Sequence, residues 1–340
     1  MSEKLKKTKI FRQKPKNLKS EDDKLFNHEY QKHLKNSKVR TLKNVYISES
    51  KLKKYKYFRI HAKQWRMNPI NFIDKIIYFI KDLKTFLYAR DNFEIEIIKT
   101  AIWAVDSRSY QYFHWLTDAL QRIEASKKYY EKGPLILLPG FQNYQYIKDS
   151  LDILGIESLI LENNKKYFIE ELILSERVSP AGNYRKELIN TISNNFKKNI
   201  ENLEAKNDFK KIWVSRQNAL KRRILNFEEI EPILEKNNFK IINYENLTFR
   251  DQIKISNNAQ IIGGVHGAGL TNMIFLNKNS SVIEIRAEGD SLNNCFFSLA
   301  SDMGHDYYYF LGSADNDNYY ESNLHIDPKK FENFLESIDF

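Results

Sequence analysis

The residues best suited to chemistry crowd into the stretch 259–269, AQIIGGVHGAG. Gly263, Gly264, Gly267 and Gly269 surround one histidine, His266. An apolar run precedes them. Behind them Leu270, Met273, Ile274, Phe275 and Leu276 fall on one side of a helix. The stretch reads as strand, glycine-rich turn and helix start. Glycine lets a backbone turn tightly and approach a ligand, and a helix start offers free N–H groups and partial positive charge to a phosphate. The bland alternative is a tight strand-to-helix turn around a buried histidine.

Two further candidates lie at strand ends. Arg216 follows the apolar run 212–215 and opens a basic loop that includes Lys221, Arg222 and Arg223. Glu284 ends the run 281–285. In open α/β sheets ligands bind at the carboxyl ends of strands. Arginine there can bind phosphate bidentately, and a carboxylate about 20 residues past the glycine turn is placed to accept ribose hydroxyls. The turn is not a clean G-x-G-x-x-G and no Walker lysine follows it, which argues against dehydrogenase and P-loop readings. In the first half, His114, Asp118 and Arg122 are spaced four apart in an amphipathic helix, 113–126, and share one face. Taken alone, that set reads as an ordinary surface pairing.

These residues need strands and helices to hold them. Strand-like runs at 93–105, 135–138, 158–161 and 171–174 alternate with helices at 113–126 and 144–154, and a helix at 186–203 follows. A second alternation has strands at 212–215, 239–243, 259–262, 281–285 and 306–310. Thr248 and Asp251 have capping-box spacing, and Asp327–Pro328 opens a final helix, 329–338. Alternation of this kind predicts α/β architecture with parallel sheets. The expected division is a basic, mobile leader over 1–54, a first Rossmann-like domain over 55–200, a second over 201–325, and a C-terminal helix over 326–340. The junction is placed near 201–208. A strong amphipathic helix at 71–89 reads as core packing or, more sharply, as a membrane-surface helix.

At 340 residues, with 42% hydrophobic and 14% aromatic content, the chain can bury a large core. A net charge of +10 and a pI near 9.2 suit nucleic acid, anionic lipid or phosphorylated small molecules without choosing among them. No nucleic-acid signature is present. The single cysteine, Cys295, permits no internal disulfide or thiolate metal site and suggests a reducing compartment. Asp315 and Asp317 form an Asp-x-Asp among turn residues, read as a turn rather than a metal site.

Four pieces in order, YFHWLTDALQRI, VSRQNALKRRILN, GGVHGAGLTNMIFL and VIEIR, resemble glycosyltransferase family 61, which includes capsular polysaccharide transferases. Together they cover roughly Ala101–Arg286, more than half the chain. The resemblance implies a GT-B fold, two Rossmann-like domains facing a cleft. It also implies inverting transfer from a nucleotide sugar to a glycan or lipid-linked acceptor. Such transfer needs a base and something to stabilise the departing diphosphate. The base candidates are Asp118, slightly preferred, and His114; Asp118 could also act by orienting His114. The donor-binding set is Arg216, Arg222, Gly264, His266, Gly267, Ala268, Gly269, Asn272 and Glu284. These contacts would replace a metal, so no cofactor is expected. The expected setting is cytoplasmic, with peripheral contact at the inner membrane face. The alternatives are another GT-B enzyme such as a nucleotide-sugar epimerase, or a non-catalytic basic protein binding nucleic acid or membrane surfaces.

Overall fold

The computed structural model describes residues 3–48, 95–162, 165–200 and 209–338. In chain order the strands are β1 (Glu3–Leu5), β2 (Thr8–Phe11), β3 (Gln31–Leu34), β4 (Ser37–Ser48), β5 (Ile95–Trp103), β6 (Leu135–Leu137) and β7 (Ser158–Ile160). They continue with β8 (Lys166–Ser175), β9 (Lys211–Val214), β10 (Phe239–Ile242), β11 (Ile261–Val265), β12 (Ser281–Ala287), β13 (Asp306–Ala314) and β14 (Leu324–His325). The chain divides into two compact units. One is Met1–Lys6 with Asn36–Val178; the other is Lys7–Lys35 with Ser179–Phe340.

The first unit is built on a six-stranded sheet of order β1-β4-β8-β5-β6-β7. Strands β8, β5, β6 and β7 are parallel, and β4 adds to β8 antiparallel. The strand order of the parallel part reverses between β5 and β8, so the carboxyl ends of those two strands flank a switch point, where α/β sheets bind ligands. The helical segment after β5 contains a π-helical turn, Trp115–Ala119, between Tyr112–His114 and Leu120–Ala125. All five residues of that turn are buried, and the Trp115 indole donates to Ser150 Oγ at 2.8 Å.

The second unit carries a sheet of order β10-β9-β11-β12-β13-β14, parallel except for β14. Its switch point lies between β9 and β11, because the chain goes outward to β10 before crossing back. Strand β11 is buried along its whole length, as expected of a strand covered on both faces. Trp213, Phe239, Ile283, Phe331 and Leu335 pack together on one face of the sheet. The helix Phe249–Asn258 starts at Thr248, whose side chain accepts from the Asp251 N–H, and the helix Pro328–Glu336 starts at Asp327 in the same way.

Several expectations change here. The described part of 1–54 is not a loose leader. Arg12 is buried and pairs with Asp302 at 3.1 Å and Glu29 at 2.8 Å, and Phe26 packs edge-on to Phe297 at 5.1 Å. The helix Lys186–Lys198 belongs to the second unit rather than the first. Its Phe196 ring meets Phe249 and Phe275 at 5.5 and 5.6 Å, which ties it to the later elements. The final helix is core rather than an appendage, with Phe331 against Trp213 and Phe310. The 71–89 helix and the 201–208 junction lie outside the described residues. Among the described residues, no helix is long and apolar enough to cross a membrane.

Candidate active site

In the second unit the candidate residues gather at the carboxyl ends of β9, β11 and β12. The strand β11 extends through Gly263 and Gly264, so these two are sheet residues rather than turn residues. A Cβ at Gly263 would sit 2.7 Å from the Trp213 ring, and one at Gly264 would sit 2.9 Å from the Val214 carbonyl oxygen. They are small because β9 crowds them. Gly269 is likewise pressed against Val214. After β11 the chain forms a 3-10 run, Ala268–Phe275, rather than an α-helix. Leu270 is the first residue there whose N–H finds a backbone acceptor, the Gly267 carbonyl at 2.9 Å. The backbone around Gly267 and Ala268 thus retains the anion-facing character expected of a helix start.

Arg216 lies directly over Gly267. Its Nε and Nη2 donate to the carbonyls of Arg222 and Lys221 at 3.3 and 3.1 Å, which aims the guanidinium. Among the described residues no carboxylate forms an ion pair with it. Burial, then the nearby charge of Arg222, pushes its pKa down to about 10, so it remains a cation at neutral pH. Arg222 adopts a left-handed backbone and stacks its guanidinium on Tyr320 at 5.1 Å. Lys221 is already paired with Glu321 at 2.8 Å.

His266 completes this corner. Its Nδ1 is hydrogen-bonded to Glu284 Oε1, and its ring meets Phe296 edge-on at 4.9 Å. Glu284 itself has no exposed surface, and its other oxygen accepts from the Tyr307 hydroxyl at 2.5 Å. The expected ribose contact for Glu284 therefore does not fit: both oxygens are occupied beneath the histidine. Asn272 is also fully buried and donates to the Gly269 carbonyl at 3.1 Å, which makes it a brace for the turn. The chemistry available here is a preset guanidinium beside His266 and the start of the 3-10 run, a set suited to an anion.

An alanine at Gly267 tests this arrangement. Its φ of 175° is extended backbone that alanine adopts freely, but the new Cβ would overlap Arg216 Nη1 and lie 2.8 Å from Cζ. The arginine tip can swing away, so Gly267→Ala should unfold within a few degrees of the native protein while diphosphate affinity falls roughly tenfold. Equal affinity in calorimetric titration with pyrophosphate would mean Arg216 does not meet the anion.

The first unit holds a second charged cluster, at the carboxyl ends of β5 and β8. Arg122 pairs with Asp106 at 2.7 Å, and Arg177 pairs with Asp118 at 2.5 Å. Asp106 also accepts from the backbone N–H groups of Arg108 and Ser109. Its oxygens are committed, which removes it as a base. Asp118 differs. Its Oδ1 is buried without a partner, a state that calls for a ligand or water. Burial raises its pKa despite the two arginines. His114 is half-buried with Nδ1 unpartnered, and burial followed by the Arg177 charge lowers its pKa. No hydrogen bond joins His114 to Asp118.

Arg177, Tyr307 and Arg286 were not among the residues singled out from sequence. Arg177 follows the strand β8 just as Arg216 follows β9, so the signal was available. Tyr307 lies in the last strand-like run, 306–310, as part of β13. Among the described residues no cluster of His, Cys, Asp or Glu is arranged to hold a metal. Asp315 is occupied in its turn, accepting from the Asn323 backbone at 2.9 Å and side chain at 2.8 Å.

Comparison with known proteins adds an independent line. The family model described as Glycosyltransferase 61 matches residues 112–283, about half of the chain. Curated relatives include the EGF domain-specific O-linked N-acetylglucosamine transferases of Drosophila melanogaster and Bos taurus. The first is 37% identical over 82 residues, which is 23% of this chain and 15% of that protein. The second is 37% identical over 84 residues, again 23% of this chain and 16% of the relative. The chain thus aligns with less than a fifth of the length of these relatives.

Proposed function

The chain belongs to the glycosyltransferase 61 family, and from that premise we propose that it transfers a sugar from a nucleotide-sugar donor to a glycan or lipid-linked acceptor. The reading includes inversion at the anomeric carbon, no metal requirement, and a GT-B arrangement in which the second unit takes the donor and the first the acceptor. Surface polysaccharide synthesis is the setting it suggests. The observation that carries it is the Arg216 guanidinium, free of a carboxylate ion pair among the described residues, fixed over Gly267, next to His266, at the switch point of a parallel sheet.

In this reading the acceptor oxygen attacks the anomeric carbon opposite the diphosphate, and Asp118 takes the hydroxyl proton. Negative charge grows on the departing phosphate, where Arg216, the free nitrogen of His266 and the turn backbone receive it. Donors that are already in place when charge develops need no reorganisation, which is why such sites can be worth several kcal/mol. The relatives' names speak of N-acetylglucosamine, so UDP-N-acetylglucosamine belongs among the donors tried.

The test is thermal-shift titration with UDP-, GDP-, CMP- and dTDP-sugars, followed by turnover of the donor that binds. One nucleotide class should stabilise the protein, turnover should survive EDTA, and NMR of the product should show the opposite anomeric configuration. Turnover lost in EDTA and restored by Mn²⁺ or Mg²⁺ would overturn the metal-free step. No stabilisation by any donor, with tight salt-dependent polynucleotide binding, would favour a non-catalytic basic protein.

A further inference from the structure

Two charged side chains, Glu284 and Arg286, stand in the buried strand β12 and point to the same face. Burying ions is costly unless each is paired and hydrogen-bonded, and here the bonds form a single chain. Arg286 Nη1 lies 3.5 Å from the Tyr307 hydroxyl, Tyr307 meets Glu284 Oε2, and Glu284 Oε1 meets His266 Nδ1. The far end is anchored as well. Arg286 donates to Asn294 Oδ1 at 2.7 Å and to the Asp290 carbonyl at 2.8 Å, and its guanidinium sits 4.8 Å from the Phe26 ring centre. Asn294 in turn donates to the Leu25 carbonyl at 2.8 Å.

The direction of each bond follows from the donor inventory. A guanidinium only donates. The Tyr307 hydroxyl therefore presents a lone pair to Arg286 and sends its proton to Glu284. The Glu284 carboxylate, balanced by the Arg286 charge, only accepts. His266 must then carry a proton on Nδ1; Nε2 is the nitrogen left for a ligand, an acceptor in the neutral ring and a donor in the imidazolium.

We propose that Tyr307 and Arg286 are positioning residues for the donor site. They act through Glu284, whose carboxylate holds the Nδ1 proton of His266 and stands as the counter-charge of its imidazolium, the form in which Nε2–H can donate to the diphosphate, and residues 7–35 brace the far end through Phe26 and Leu25. This rests on the donor-site reading above only for what Nε2 meets. It gives the N-terminal segment, which lies outside the family match, a part in the site.

The test uses the full chain labelled with ¹⁵N-histidine. Long-range ¹H–¹⁵N spectra should show His266 Nδ1 protonated in the native protein. With pyrophosphate bound both ring nitrogens of His266 should be protonated; in Tyr307→Phe the His266 nitrogen signals should move and affinity for pyrophosphate should fall roughly tenfold, the size expected for losing a hydrogen bond to a charged group. A packing role alone would lower the unfolding temperature and leave those signals unchanged. Native His266 with Nδ1 unprotonated overturns the proposal without any variant having to fold, and so does Tyr307→Phe with native His266 signals and native affinity. If Nδ1 is protonated and shifts as expected but pyrophosphate does not bind the native protein, the positioning chain stands and the donor-site reading fails.

Discussion

Asp118→Asn should lower turnover at least about a hundredfold, the lower end of what a positioned general base contributes, while donor affinity stays close to native. The substitution keeps the size of the side chain and its hydrogen bond from Arg177, so the fold should survive. It removes the one carboxylate in the cluster with an uncommitted oxygen. The pH profile gives a second readout. Burial holds the Asp118 pKa above its ordinary value of 3.8, so the active, deprotonated form is lost as pH falls through that raised value. The acidic limb of kcat/KM should lie above the usual aspartate range in the native enzyme and vanish in Asp118→Asn. His114 is kept below its ordinary value and is neutral at pH 7, so it competes for the same role. Both lie in the field of Arg177 and Asp106, so the losses from His114→Ala and Asp118→Asn should depart from additivity by roughly 0.5–3 kcal/mol. Near-native turnover in Asp118→Asn would pass the base role to His114 or out of this cluster.

Arg216→Ala should weaken donor binding by about 1.5–3 kcal/mol, the range for a hydrogen bond to a charged group. The size follows from its surroundings. The guanidinium is largely withdrawn from water, is held by two backbone carbonyls, and carries no carboxylate partner among the described residues. An arriving phosphate would supply the missing counter-charge without first displacing one. Lys221 offers the control, since its ammonium is already met by Glu321 at an exposed position. Lys221→Ala should change affinity by no more than surface charges usually do, roughly 0–1 kcal/mol. Calorimetric titration of both variants with the nucleoside diphosphate of the donor checks the contrast. Equal effects from the two would mean that general positive charge, not the fixed guanidinium, binds the donor.

Much of this was legible in the sequence because its signals are local. A parallel strand buried on both faces must be apolar, so VIEI and IIGGV announce themselves, and capping residues such as Thr248 and Asp327 mark helix starts through bonds spanning three residues. Arg216 and His266 were found by their place just beyond strands. What required tertiary structure is where a second element decides the outcome. The glycines at 263 and 264 look like a ligand loop in sequence but are small because Trp213 and Val214, about 50 residues earlier, press on them. Glu284 has the spacing of a ribose acceptor, yet Tyr307 from the neighbouring strand and His266 take both its oxygens. The helix Lys186–Lys198 follows the first alternation in sequence but buries Phe196 against the second unit's aromatic residues. In 37–48, Lys38, Arg40 and Lys43 give a basic look to a strand whose Val39, Val45 and Ile47 are buried where it pairs with β8. Composition and period determine which residues prefer burial and in which local form. Which partner they are buried against, and so which polar atoms remain free for a ligand, depends on contacts between residues far apart in the chain.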